Sequence, residues 1–191
     1  MHWIDPASLP ETRGKVTRFL LNPHGELDGL VLGARQVHFP PHLSKQLARH
    51  VAPGDAVRVR GVKPRNADMI AAVSLTTTSG VLILDEGPHH EGEKHGKPPV
   101  ERKPMEASGE VVLSLFGPKG ELRGALLDDG TSLRMPTHAA AELAEYLAKY
   151  LAKYLAPGAH VQAWGPGIKN RHGRTIEVDE IAELVDTPVT A

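Results

Sequence analysis

Two short runs bring together cations that could do chemistry: Lys63-Pro64-Arg65 and Lys169-Asn170-Arg171-His172-Gly173-Arg174. Cations spaced this closely in a polar stretch can pair with neighbouring phosphate groups, because each head group offers several charge-assisted donors. Arg58 and Arg60 precede the first run and alternate with Val57 and Val59, so in an extended chain they share one face. Trp164 takes the place of Arg60 in a second, matching alternation. His38 and Arg134 are the polar members of two further short apolar alternations.

No constellation for bond-breaking accompanies these cations. A Gly-rich phosphate loop, a nucleophile elbow, a zinc-binding helix motif and paired catalytic carboxylates are all missing. Asp128 and Asp129 belong to a DDGT turn, which accounts for them. Enzyme activity is therefore not expected, and no catalytic residue, metal or cofactor is assigned. With no cysteine there is no disulfide, thiolate metal site or cysteine nucleophile. Eleven histidines invite a metal reading. His42 and His138 recur in an x-Pro-x-His step, but no carboxylate or second histidine recurs with them at ligand spacing. A capping or packing role explains them more simply. His89, His90 and His95 lie in a polar stretch where nothing orients them.

The elements that must hold the cations occur twice. Asn22 to Val62 and Gly117 to Pro166 share a Pro-x-Gly-Glu-Leu turn, a Gly two residues on, an apolar run and an x-Pro-x-His step. A helical pattern, Ala-Pro-Gly and an alternating strand follow in both. In the first copy the strands are expected at Lys15–Leu21, Glu26–Leu32, Gln36–Phe39, Ala56–Gly61 and Met69–Leu75. A helix of two to three turns falls between the third and fourth, its Leu43, Leu47 and Val51 four residues apart. In the second they are expected at Glu110–Phe116, Glu121–Leu127, Ser132–Met135, His160–Gly165 and Thr175 to about Ile181. Gly29 and Gly124 sit inside strand patterns, where a glycine marks the sharp bend of a small closed barrel.

The fold class that follows is mainly β: two tandem five-stranded Greek-key barrels of OB-fold type, each with one helix between strands 3 and 4. A small α+β sandwich is the alternative. The domains are expected at 13–85 and 109–185, joined by a flexible linker over 86–108. Val81-Leu82-Ile83-Leu84 is a candidate extra edge strand of the first domain, and residues 1–12 read as a loose arm. The second helix should be longer, since Ala-Lys-Tyr-Leu runs twice over 148–155. Eight added residues extend a helix by about 12 Å. Tyr146, Tyr150 and Tyr154 widen its apolar stripe beyond what so small a barrel can cover. Self-association or a protein partner is one use for that stripe; a tetrapeptide expansion with no role explains it more simply.

The pattern GEL-x-G-x-x-L, followed by V-x-F-P-P-H-L (Val37 to Leu43) or L-x-M-P-T-H-A (Leu133 to Ala139), resembles a group of bacterial tandem OB-fold proteins. Those proteins are grouped with nucleic-acid binders by fold. The resemblance covers residues 14–75 and 109–182 and implies the fold far more firmly than the activity.

On an OB-fold, single strands lie across strands 2 and 3, framed by the loops joining strands 1–2 and 4–5. This places Lys63 and Arg65, and Lys169, Arg171 and Arg174, on the 4–5 loops, with His24 and Lys119 on the 1–2 loops. Arg58, Arg60, His38 and Arg134 are expected to point outward. Charge supports the first copy in particular: residues 13–75 carry ten Lys or Arg against four Asp or Glu, residues 109–185 eight against ten. Stacking rings are scarce, Trp164 being the one plausible stacker. The expected function is weak, largely sequence-independent binding of single-stranded DNA or RNA. The alternative is a scaffold module built on the Tyr/Leu helix. No membrane span is expected, no signal-peptide pattern opens the chain, and a cytoplasmic location is the default.

Overall fold

Strand patterning decides the architecture, and the computed structural model shows how. It describes residues 6–65, 67–85, 101–135, 149 and 152–184. After a 3-10 turn at Pro6–Ser8, the first half forms β1 (Glu11–Leu21), β2 (Leu27–Leu32), β3 (Arg35–His38), a 3-10 turn at Pro41–Leu43 leading into α1 (Ser44–His50), β4 (Ala56–Val62), β5 (Met69–Thr77) and β6 (Leu82–Leu84). The second half forms β7 (Lys103–Phe116), β8 (Leu122–Leu127), β9 (Ser132–Arg134), β10 (His160–Asn170), β11 (Gly173–Glu177) and β12 (Glu180–Glu183).

In each half the long first strand pairs with two neighbours. β1 takes β4 along Glu11–Lys15 and β2 along Val16–Leu21. A register shift between Val16 and Arg18 bends it from one partner to the other, and β7 shifts at the matching place, between Val111 and Leu113. Antiparallel ladders β2–β3 and β4–β5, closed by the parallel pair β3–β5, complete the first five-stranded barrel. β7, β8, β9, β11 and β10 repeat that closure. Gly29 and Gly124 are required where strands cross: a Cβ at either would run into the carbonyl oxygen of Val37 or Leu133.

The core of barrel one is formed by inward residues such as Leu21, Leu30, Val37, Phe39, Val59 and Leu75. It is plugged by Leu43, Leu47 and Val51, the helical line visible in the sequence. Val111, Leu127, Leu133, Val161 and Ile176 fill barrel two.

Three details differ from expectation. Lys103 to Ser108, read as tether, are the first part of β7, paired with Gly167 to Gln162 of β10. There Met105 and Ala107 pack onto the barrel core on alternate positions. Val178 and Asp179 interrupt the fifth strand of barrel two, dividing it into β11 and β12. The third concerns only the end of the expected second helix. Backbone at Lys149 is helical, but 152–154 form a turn, and the rest of the expected helix (from 137 or 138 to 148, 150 and 151) lies outside the described residues. Leu155 explains the turn: it is buried in the barrel core, its N–H bonds back to Ala152 O at 3.2 Å, and its carbonyl accepts Ser114 Oγ at 2.6 Å. The expected edge strand after Gly80 is β6, laid against Ser74–Thr76 of β5.

Candidate nucleic-acid interface

An OB-fold that lays a strand across its second and third strands needs that outer face open. Here each barrel closes it with the other. Leu20 and Val31 of barrel one pack against Leu115 and Leu126 of barrel two, a buried apolar cluster separate from both barrel cores. These are equivalent positions in the two copies, so the halves meet as copies meet in an isologous dimer. Polar groups lock the seam. The Gln36 side chain donates through Nε2 to Phe116 O at 2.9 Å and accepts from Phe116 N–H at Oε1 at 2.8 Å. Asn170 Nδ2 donates to Gly25 O at 2.9 Å, and the Phe19 and His172 rings meet edge to face at 5.5 Å.

Two of the predicted binding residues belong to this seam and are corrected accordingly. Arg134 is 5% exposed; it donates through Nε to Leu21 O at 2.8 Å and through Nη2 to Asp28 Oδ1 at 2.7 Å. His38, the equivalent position in barrel one, lies beside it. Burial pushes the His38 imidazole down to about 4, and the Arg134 charge pushes the same way, so the ring is neutral near pH 7. Neither side chain points to solvent as a phosphate donor. The cleft left beside them, about 670 Å³, is lined by Lys119, Arg123 and Arg134 and equally by Asp28, Glu121 and Glu177. Balanced charge gives it no net attraction for a polyanion.

The other predicted cations divide into held and open. Arg60 is held: it donates to Ala7 O, Leu9 O and the Glu11 carboxylate, fastening the N-terminal segment to β4. Arg174 donates to Glu106 O at 2.9 Å and lies 3.9 Å from Asp129. Lys63 and Arg35 both reach Asp68, at 3.6 and 3.2 Å, through exposed pairs that contribute little. Arg58, Arg65, Lys169 and Arg171 are exposed and make no ion pair among the described residues.

Trp164 is half-buried on the outer face of barrel two, in a groove with Met105, Pro104 and Pro166 whose polar lining includes Glu106, Asp179 and Glu180. Tyr154 packs on the core of its own barrel, while Tyr146 and Tyr150 lie outside the described residues. His42 Nε2 meets Asp85 Oδ1 at 3.1 Å; His138 and the linker histidines lie outside the described residues. No group of three or more potential metal ligands converges among the described residues. None of their helices is long and apolar enough to cross a membrane.

What the sequence reading missed is β1 itself. Arg13 and Lys15 are exposed on its outer face, and Arg18 follows beyond the bulge, half-buried. Arg13 is the cross-strand neighbour of Arg58, and Arg58 of Thr76. With Lys15 they line an open groove of about 510 Å³ that no carboxylate lines. Arg13 shares its charge with Glu11 at 2.6 Å, and this Arg13 bond is the main cause holding the Glu11 carboxyl below the usual range. The signal was legible as Arg13-x-Lys15 and Arg18 within a strand pattern.

No family model matches the chain, and no curated protein does. Among solved structures it overlays on the wild-type single-stranded DNA binding protein from Thermus aquaticus and on a deletion mutant of that protein. Identities are 14% and 13% and TM-scores 0.29 and 0.28. The overlays cover 95% of this chain in both cases and 94% and 96% of those chains. At such scores the overlays decide nothing about ligand or site.

Proposed function

We propose that the protein binds single-stranded nucleic acid weakly and with little regard to sequence, by its backbone phosphates. The contact surface is the outer face of β1 with its neighbours rather than the face of β2 and β3. The observation that carries this reading is the cross-strand row Arg13–Arg58–Thr76 beside Lys15, in a groove without a lining carboxylate. Two guanidiniums, an ammonium and a row of hydroxyls are donors suited to phosphate oxygens. Arg13 and Arg18 are about 17 Å apart along an extended strand. The basic line therefore runs from the groove toward the seam, where the β10–β11 hairpin adds Lys169 and Arg171.

No aromatic ring lines the groove, so base stacking, worth about 1–3 kcal/mol per base, does not add to the charge term. Affinity must then be modest, insensitive to sequence and steeply salt-dependent. Fluorescence anisotropy with labelled oligonucleotides of unrelated sequence tests this. Comparable binding of all of them at low salt, lost at moderate salt, is expected; no binding at low salt refutes the reading.

A further inference from the structure

A second group of cations gathers where the barrels meet, on residues that come from both. Arg18 of β1 lies against the Asp129-Gly130-Thr131 turn of barrel two, and Lys169 and Arg174 of the β10–β11 hairpin stand beside it. The cleft they line is about 300 Å³. At about 30 Å³ per water it has room for a phosphate group and its ester but not for a protein segment.

The Arg18 guanidinium is half-buried and has no hydrogen bond or ion pair among the described residues. Gly130, at φ 92°, makes its position possible, since a Cβ there would collide with Arg18 Nη1. The Lys169 ammonium is likewise unpaired among the described residues. Arg174 keeps donors to spare, its Asp129 contact being 3.9 Å. Three cations against the single carboxylate of Asp129 leave an excess of two positive charges.

His172 lines the same cleft. Burial first, and then the Arg171 charge, push its imidazole below the ordinary value, and its Nε2 accepts from Arg171 Nε at 3.2 Å. Thr131 is part of the lining, and its buried hydroxyl has no partner among the described residues. A tetrahedral dianion with several acceptor oxygens matches this charge and donor set better than a single carboxylate does.

We propose that this seam cleft binds one phosphate group, and that a phosphate held there by Arg18 from barrel one and Lys169 and Arg174 from barrel two stabilises the docked arrangement. The phosphate is either free or part of a nucleic-acid strand. Only the strand form rests on the function proposed above.

The test is thermal melting of the full chain in increasing inorganic phosphate, with chloride added to controls at equal ionic strength. Melting temperature should climb with phosphate beyond the chloride control, as linkage requires of a ligand that prefers the folded state. Lys169→Gln and Arg18→Gln should each weaken the apparent affinity at least tenfold, whereas Lys45→Gln on α1 should not. If Arg18→Gln melts too low to compare, the exposed Lys169 variant carries the comparison. No rise over chloride, or an undiminished rise in Lys169→Gln, overturns the proposal. Oligonucleotides with and without a 5′-phosphate identify the source. Tighter binding of the phosphorylated strand, lost in Lys169→Gln, assigns a chain end; equal binding of both, displaced by inorganic phosphate, assigns an internal phosphodiester. A phosphate-dependent rise without strand binding supports the cleft and refutes only the nucleic-acid function.

Discussion

Arg134 in barrel two and Asp28 in barrel one form a buried ion pair across the seam, Nη2 donating to Oδ1 at 2.7 Å. Burial pushes the Asp28 carboxyl up, and the adjacent guanidinium opposes that shift. Such a pair adds little net stability over a well-packed apolar pair, but breaking one side strands the other. Arg134→Met should therefore cost about 3–5 kcal/mol, and Asp28→Leu a similar amount. The double variant should cost clearly less than the two together. Urea unfolding of the four proteins measures this; strict additivity would mean that the two groups do not act on each other.

Gln36 stands in for a strand at the same seam, its amide making the two bonds that a neighbouring backbone would make to Phe116. Gln36→Leu leaves a buried N–H and a buried C=O without partners, each worth about 1–3 kcal/mol. A loss of about 2–4 kcal/mol in denaturant midpoint analysis is expected. A change below about 0.5 kcal/mol would show that water reaches Phe116 and that the seam is loose.

His38 makes the seam sensitive to acid. Its folded value of about 4 lies below the ordinary 6.5, so between those limits the unfolded chain binds more protons than the folded one. Stability therefore rises with pH across that window: it is complete above about 6.5 and is lost as pH falls toward 4. At about 1.4 kcal/mol per unit the effect reaches up to about 3 kcal/mol. His38→Gln should flatten this part of a stability-versus-pH profile. An equal slope in that variant would assign the acid sensitivity elsewhere.

The barrels were legible because each strand signal was local: the Pro-x-Gly-Glu-Leu turns, the alternation of Val57 and Val59 with arginines, and glycines where strands cross. The seam was written less plainly. Phe19-Leu20-Leu21 and Leu30-Val31-Leu32 are unbroken apolar runs, as strands buried on both faces are, whereas a half-exposed strand alternates. Read that way, Leu20, Val31, Leu115 and Leu126 announce a second buried surface. Arg134 could not be read so. An outward cation on a strand looks the same in sequence whether it meets water or a carboxylate more than a hundred residues away. Only the end of the Tyr/Leu helix was read too far: helix propensity is a local preference, and at 152–154 the burial of Leu155 and the following Pro157-Gly158 override it.

Competition from the closed face gives a further expectation. If binding uses β1, loosening the seam is not needed for it, so Gln36→Leu should keep its oligonucleotide affinity within about twofold under conditions where it is folded. A large gain in affinity on loosening would locate the site on the covered strands instead.

The most direct measurement is the salt dependence of oligonucleotide binding by wild-type protein and by an Arg13→Gln/Lys15→Gln/Arg58→Gln variant that retains the wild-type circular dichroism. Loss of three phosphate contacts should weaken low-salt binding severalfold or more and make the slope of log K against log salt shallower by about 2. An unchanged affinity and slope in the triple variant would contradict placement of the nucleic acid on β1.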